Sequence, residues 1–189
     1  MCNEASFVLT EENAYWSETS DSHSEIIKEH NLRDTLAGKV QILACEITPP
    51  VKDDLRQWTT PLNQWTYRVD ESYILPDWYS AERDEARARA ALRDWVAAKL
   101  VLEPVDVIVD GHKVAVCADV GEMYGGTIRA VYGGTISEVH GGTIREVHGG
   151  TIRAVYGGTI SAVCGGTISA VHGGTIRAVY GGTISEVHG

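Results

Sequence analysis

Cys2 directly follows the initiator methionine, so removal of Met1 would expose a thiol beside its own amine, the layout of an amino-terminal nucleophile with a built-in base. A second set of groups, Asp21, His23 and His30, gathers about a predicted short helix, with Cys45 and Glu46 on a predicted strand, and a hydrolytic constellation can be drawn from them. The plainer account of the same residues is helix caps, surface groups and a buried thiol, and it is the one adopted. Asp53-Asp54 reads as loop and Asp70-Glu71 as a turn. A Gly-rich phosphate loop, a paired-carboxylate motif and an HExxH motif are all missing from the sequence, so no catalytic, cofactor-binding or metal-binding residue is assigned. The other chemistry lies in the last third, where Arg129, Arg153, Arg177, Tyr132, Tyr156 and Tyr180 recur at a fixed interval and form a candidate binding surface.

These residues sit in two halves of different composition. All five Trp and all five Pro lie before position 105. After Gly121 four Arg (129, 145, 153, 177) balance four Glu (122, 138, 146, 186), so the net charge of −10 belongs to the preceding part. An acidic domain beside a neutral repeat argues against nucleic-acid binding, which needs a basic face that releases counterions. The four Cys (2, 45, 117, 164) contain no CxxC pair, and there is no charged leader with an apolar core, so a reducing cytosolic origin is expected. No run approaches the ~20 apolar residues of a membrane span, and no membrane association is expected.

In the first half, Ser6 to Thr10 reads as a strand with Ala14 to Trp16 as its partner or extension. Ser22 and Glu25 have capping-box spacing ahead of a short helix that runs to about His30 and stops at Asn31. Lys39 to Ile47 is expected to be a central strand ended by Pro49-Pro50, and Trp65 to Val69 a third strand. A helix from about Ser80 to Leu100 places Ala88, Leu92, Trp95 or Val96 and Leu100 on one stripe, with Arg83, Glu85 and Arg87 on the other face. Val105 to Val109 and Lys113 to Cys117 flank Asp110-Gly111, the signature of a hairpin leading into the repeats.

The unit Gly-Gly-Thr-Ile-(Arg/Ser)-(Ala/Glu)-Val-(Tyr/His/Cys) occurs eight times, its Gly pairs beginning at 125, 133, 141, 149, 157, 165, 173 and 181. One such unit cannot enclose a core, so units must stack. Ile and Val are three apart, which requires a bend or bulge between them, and each octapeptide becomes one side of a coil with the Gly pair at its corner. The alternative, an antiparallel meander, would bury Glu138, Glu146 and Glu186 at a cost of several kcal/mol each. Unit tails resemble one another every 24 residues, which predicts a triangular coil with like residues stacked about 4.8 Å apart. Tyr132, Tyr156 and Tyr180 would then form one column and Arg129, Arg153 and Arg177 another, splayed into water or neutralised by an anion or a partner's carboxylates. His140, Cys164 and His188 would share a second side and are ligand types suited to zinc, but ladder side chains project in parallel and seldom converge on one ion. Each side carries a single Thr column, where an ice-binding face would need two.

Read from Val, the unit Val131-Tyr132-Gly133 and its copies resemble the octapeptide repeat of the intertwined trimeric β-helix in contractile-tail spike proteins. That resemblance implies three chains wound into a rigid needle; it covers about 65 residues, and the first half lacks the oligosaccharide-binding-fold character expected upstream of such a needle. Taken whole, the chain resembles uncharacterised phage and prophage proteins with Gly-Gly-Thr-(Val/Ile) arrays. The residues concerned are Trp16-Ser17-Glu18, Asp21-Ser22-His23, Ile26-Ile27, Trp65 to Asp70, Pro76 to Tyr79, Trp95 to Lys99 and the array. This resemblance implies a viral setting and carries no activity. The Met1-Cys2 start is similar to that of class II glutamine amidotransferases, but Asn3 stands where those enzymes have Gly, and the domain is too short for their four-layer sandwich.

The expected architecture is an α+β domain over 1–104, a connecting β-hairpin over 105–120 and a triangular β-helix over 121–189. The expected function is that of a non-enzymatic phage-type assembly or interaction protein: the β-helix sets oligomeric state and spacing, and the acidic domain meets a phage or host partner. A host-defence antagonist that sequesters a nucleotide or protein is one alternative; a small hydrolase using Cys2 or the His23 region is another. With an uncapped last coil, the first partner is a second copy of the chain, as an intertwined trimer or an end-to-end dimer. The expected location is the host cytoplasm, with the virion as a second.

Overall fold

The computed structural model describes residues 5–51 and 56–188, so Cys2 and Asp53-Asp54 lie outside the described residues. The chain forms two compact units, Met1–Ala98 and Lys99–Gly189.

In the first unit, β1 (Ala5–Leu9), β2 (Ala14–Tyr15), β5 (Leu43–Thr48) and β6 (Thr66–Val69) make an antiparallel sheet in the order β2-β1-β5-β6. All five residues of β1 are buried, as befits an inner strand covered on both faces. Helix α1 (His23–Glu29) starts at Ser22 as expected, yet the capping box does not form: the Ser22 hydroxyl pairs with that of Ser24 at 2.7 Å instead of with the helix end. Asn31 stops the helix in the left-handed region, at φ 51°. The strand expected over Lys39 to Ile47 is divided. Lys39–Val40 (β4) turns back on Thr35–Leu36 (β3) through Ala37-Gly38, both at positive φ, and β5 begins only at Leu43. After a short helical turn α2 (Arg56–Thr59), helix α3 (Ala81–Lys99) carries Ala88, Leu92 and Trp95 buried, while Val96 is only half-buried.

The second unit is a β-solenoid. Its strands are β7 (Leu100–Val101), β8 (Val105–Ile108), β9 (His112–Val116), β10 (Val120–Met123), β11 (Thr127–Val131), β12 (Thr135–Val139), β13 (Thr143–Val147), β14 (Thr151–Val155), β15 (Thr159–Val163), β16 (Thr167–Val171), β17 (Thr175–Val179) and β18 (Thr183–Val187). Odd-numbered strands from β7 to β17 form one parallel six-stranded sheet, and even-numbered strands from β8 to β18 form the other. Octapeptide sides around an Ile/Val interior are therefore found as expected, and the meander is not.

Three expectations are corrected. The coil has two sides, not three: Thr143 pairs with Thr127 and with Thr159, a repeat of 16 residues, not 24. Each unit supplies one Ile and one Val to the interior, and two facing sheets about 10 Å apart are filled by that pair from each side. Secondly, 105–120 is not a hairpin. Strand β8 pairs in parallel with β10, and β9 with β7 and β11, so this stretch is already solenoid despite Asp110-Gly111. Gly111 does take positive φ (79°), but at a corner between the two sheets. Lastly, neighbouring strands in both sheets come from successive coils of one chain, which leaves no place between them for strands of an intertwined trimer.

The Gly-Gly corner explains why the unit admits no other pair there. The second Gly of each pair lies at φ between 70° and 80°, and a Cβ on the first would sit against a carbonyl of the preceding coil, as at Gly141, 2.4 Å from the Tyr124 oxygen. The corners continue the ladder: the His140 amide donates to Met123 at 2.8 Å and the Thr143 amide to Gly126 at 3.0 Å.

Candidate interaction surface

Within each unit, Ile and Val point inward and are buried through most of the coils, while Thr, the fifth and sixth residues and the eighth face outward. With a period of 16, the proposed columns separate. Tyr132 and Tyr180 lie at one corner of the coil, with His148 and Cys164 between them, while Tyr156 belongs to the opposite corner. Arg129 and Arg177 share the odd-strand sheet with Arg145 and Ser161, and Arg153 stands on the even-strand sheet between Ser137 and Ser169. Cys164 is likewise on the opposite corner from His140 and His188, so the three do not meet.

In place of the expected Tyr column, the structure stacks five rings at one corner: Tyr124, His140, Tyr156, His172 and His188. Successive centroids are 4.7, 5.3, 4.9 and 4.5 Å apart, and successive planes differ by 8° to 11°. At the other corner Tyr132 stacks on His148 at 5.2 Å. Carboxylates two residues upstream bind these rings: Glu138 to His140 Nε2 at 2.9 Å, Glu146 to His148 at 2.8 Å and Glu186 to His188 at 3.3 Å. The Tyr124 hydroxyl donates to Glu122, which together with slight desolvation pushes its pKa up. The Glu-Val-His spacing was the available signal for these pairs, since sixth and eighth residues both face outward once Val is fixed inward.

In the first unit, the His23 region brings together less chemistry than its residues suggested. His23 Nε2 lies 3.1 Å from the Cys45 carbonyl, and Nδ1 lies 3.8 Å from Asp70 Oδ2. Asp70 is itself bound by the Ser72 amide and hydroxyl at 2.9 and 2.7 Å, which hold its pKa low. Burial pushes the Cys45 thiol up to about 12, the opposite of an activated nucleophile. His30 Nε2 meets the Trp16 carbonyl at 2.9 Å and its ring packs on Tyr15.

Sequence reasoning missed Asp84, which it placed on no face. This carboxylate is fully buried in α3 and accepts from the Ser80 amide (2.8 Å), Arg83 (3.0 Å) and Arg87 (3.0 Å). Arg87 in turn donates to the carbonyls of Thr10, Glu11 and Asn13, fastening α3 to the β1–β2 turn. Burial acts to raise the Asp84 pKa, but the Arg83 and Ser80 hydrogen bonds and the two guanidinium charges outweigh it and leave it low. Beside that turn lies an open depression of about 390 Å³ bordered by Thr10, Glu12, Asn13, Arg33 and Gln41. No helix among the described residues is long and apolar enough to cross a membrane.

No protein-family model, curated protein or solved structure gives a match to this chain.

Proposed function

We propose that the chain is a non-enzymatic assembly or interaction protein of phage type, in which the solenoid sets oligomeric state and spacing and the acidic first unit meets a partner. The observation that carries this reading is the coil formed by β17 and β18. Val179 and Val187 are 51% and 73% exposed there, whereas Val131, Val147, Val155 and Val163 at the same station are fully buried. Both strands lie at the rim of their sheets, so their outer N–H and C=O groups and these apolar side chains form one surface suited to the same surface of a second copy. Contact of that kind is two-fold and self-complementary, so it closes at two chains. The first unit's chemistry agrees with a binding role: both nitrogens of His23 already face acceptors, and the Cys45 thiol is held neutral.

Sedimentation equilibrium at 1 M salt, where charge contacts between copies are screened, tests the reading. The expected result is a mass of two chains for the unmodified protein and of one chain for Val179→Lys/Val187→Lys. A 20.5 kDa species at every concentration overturns it.

A further inference from the structure

The 16-residue period sorts the charges of the solenoid by sheet. The outer face of the odd-strand sheet carries Arg129, Arg145 and Arg177 against Glu146, a net charge of +2, because Lys113 is in register with the inward Ile128. The even-strand sheet carries Asp106, Glu122, Glu138 and Glu186 against Arg153, a net charge of −3. Taken over all its strands, the solenoid is neutral, yet it presents a basic face and an acidic face back to back. Arg145, Arg177 and Glu186 are exposed, and Glu122 and Glu138 are half-buried.

We propose that the basic sheet of one copy docks against the acidic sheet of another, so that solenoids stack side by side. This rests on the reading of the chain as a self-associating scaffold and adds a second, independent contact to it. Charge complementarity names the occupant. A face with three cations and one anion finds its match in a face with four anions and one cation, and both belong to this chain. The spacing is shared as well, because both faces are ruled by strands about 4.8 Å apart, so one register aligns Arg129 and Arg145 with Glu122 and Glu138, each pair one coil apart.

The geometry also sets the strength and the form of the assembly. Val114 and Ala115 on β9 are buried, so the open part of the basic sheet runs over the four five-residue strands β11, β13, β15 and β17, a face of roughly 16 by 19 Å, near 300 Å² per copy and less than half the area of a standard stable interface. Lateral contact is therefore weak and sensitive to salt. Because a basic face meets an acidic one, each copy keeps one face open, and the stack does not close at two.

The test uses two full-length variants, Arg145→Glu/Arg177→Glu and Glu122→Arg/Glu138→Arg, with circular dichroism to establish that both fold. Sedimentation is measured at 0.1 M and 1 M salt, between which the screening length falls from about 10 Å to about 3 Å. For the unmodified protein at low salt, the mass is expected to climb beyond two chains with concentration and to fall back to two at high salt. Each variant alone has both faces of one sign, so its lateral association weakens about tenfold and it stops at two chains. An equimolar mixture regains the climb, because the acidic sheet of the first variant meets the basic sheet of the second. Variants that climb as the parent does, or a mixture that fails to recover, overturn the proposal. A parent that stops at two chains in low salt also overturns it and leaves the coil-end contact standing. A parent that stays single overturns both. If either variant does not fold, the salt response of the parent decides: an increase in mass beyond two chains at 1 M salt is the contrary result.

Discussion

At the scale of single residues, the account turns on backbone clearance at the corners and on one buried carboxylate. A Cβ at Gly157 would lie 2.4 Å from the His140 carbonyl oxygen, and one at Gly158 would lie 2.7 Å from that of Gly142 with φ at 79° besides. Gly38, at φ 76°, has open space where a Cβ would go. Gly38→Ala should therefore cost only the left-handed backbone penalty of about 1 kcal/mol, while Gly157→Ala and Gly158→Ala should each cost about 2–3 kcal/mol. Thermal melts of the three variants check the ranking; equal losses would mean that contact between coils at the corner does not matter. Asp84 was not legible from spacing alone, because nothing in Arg83-Asp84-Glu85 says which acid turns inward. Its depressed pKa contributes stability above the ordinary carboxylate range, which is lost as pH falls through the lower folded value. Asp84→Asn should lower stability at neutral pH by about 3 kcal/mol, leaving Arg87 without its counter-charge, and should flatten the loss of stability on acidification below about pH 4. Urea titrations at pH 7 and pH 3 measure both, and an Asn variant that keeps the full acid sensitivity would contradict this role.

At the scale of elements, the octapeptide side was legible because Ile and Val alone are invariant and apolar, and the Gly pair needs positive φ. The number of sides was not. The 24-residue resemblance among unit tails concerns outward positions, which pack against nothing that fixes the coil, whereas the inward Ile and Val are the same in every unit and are silent about period. The two-sided answer comes from how much interior one Ile and one Val can fill. Asp110-Gly111 misled for a related reason: a positive-φ Gly serves a solenoid corner as well as a hairpin. Because each coil touches only its neighbours, removing 149–164 takes out one coil and leaves every later unit on its own sheet. Removing 149–156 instead moves Arg177 to the acidic sheet and Glu186 to the basic one. Both deletions should fold, but only the first should keep the salt-sensitive lateral association, as read by sedimentation. Lateral association that survives both would contradict the sorting of charge by sheet.

For the whole molecule, two units differ in composition and charge. The first carries most of the acidic excess and an α3 anchored by Arg87 and Arg89; the second has strands whose charges cancel overall, opposed faces and exposed valines in its last coil. Composition alone exposed this division, since Trp and Pro stop where the array begins; the boundary was placed late because β7, β8 and β9 obey the coil without its Gly-Gly-Thr signature. The ring column, the split of Arg153 from Arg129 and Arg177, and the two-faced charge all follow from a coil of 16 residues. Oxidative cross-linking measures that period directly. His148→Cys stands one coil from Cys164, on strand ends about 4.8 Å apart and within disulfide reach, whereas His140→Cys stands 24 residues away on the opposite corner. Under mild oxidation followed by peptide mapping, the 148–164 disulfide should form within one chain and the 140–164 disulfide should not; the reverse pattern would contradict the two-sided coil.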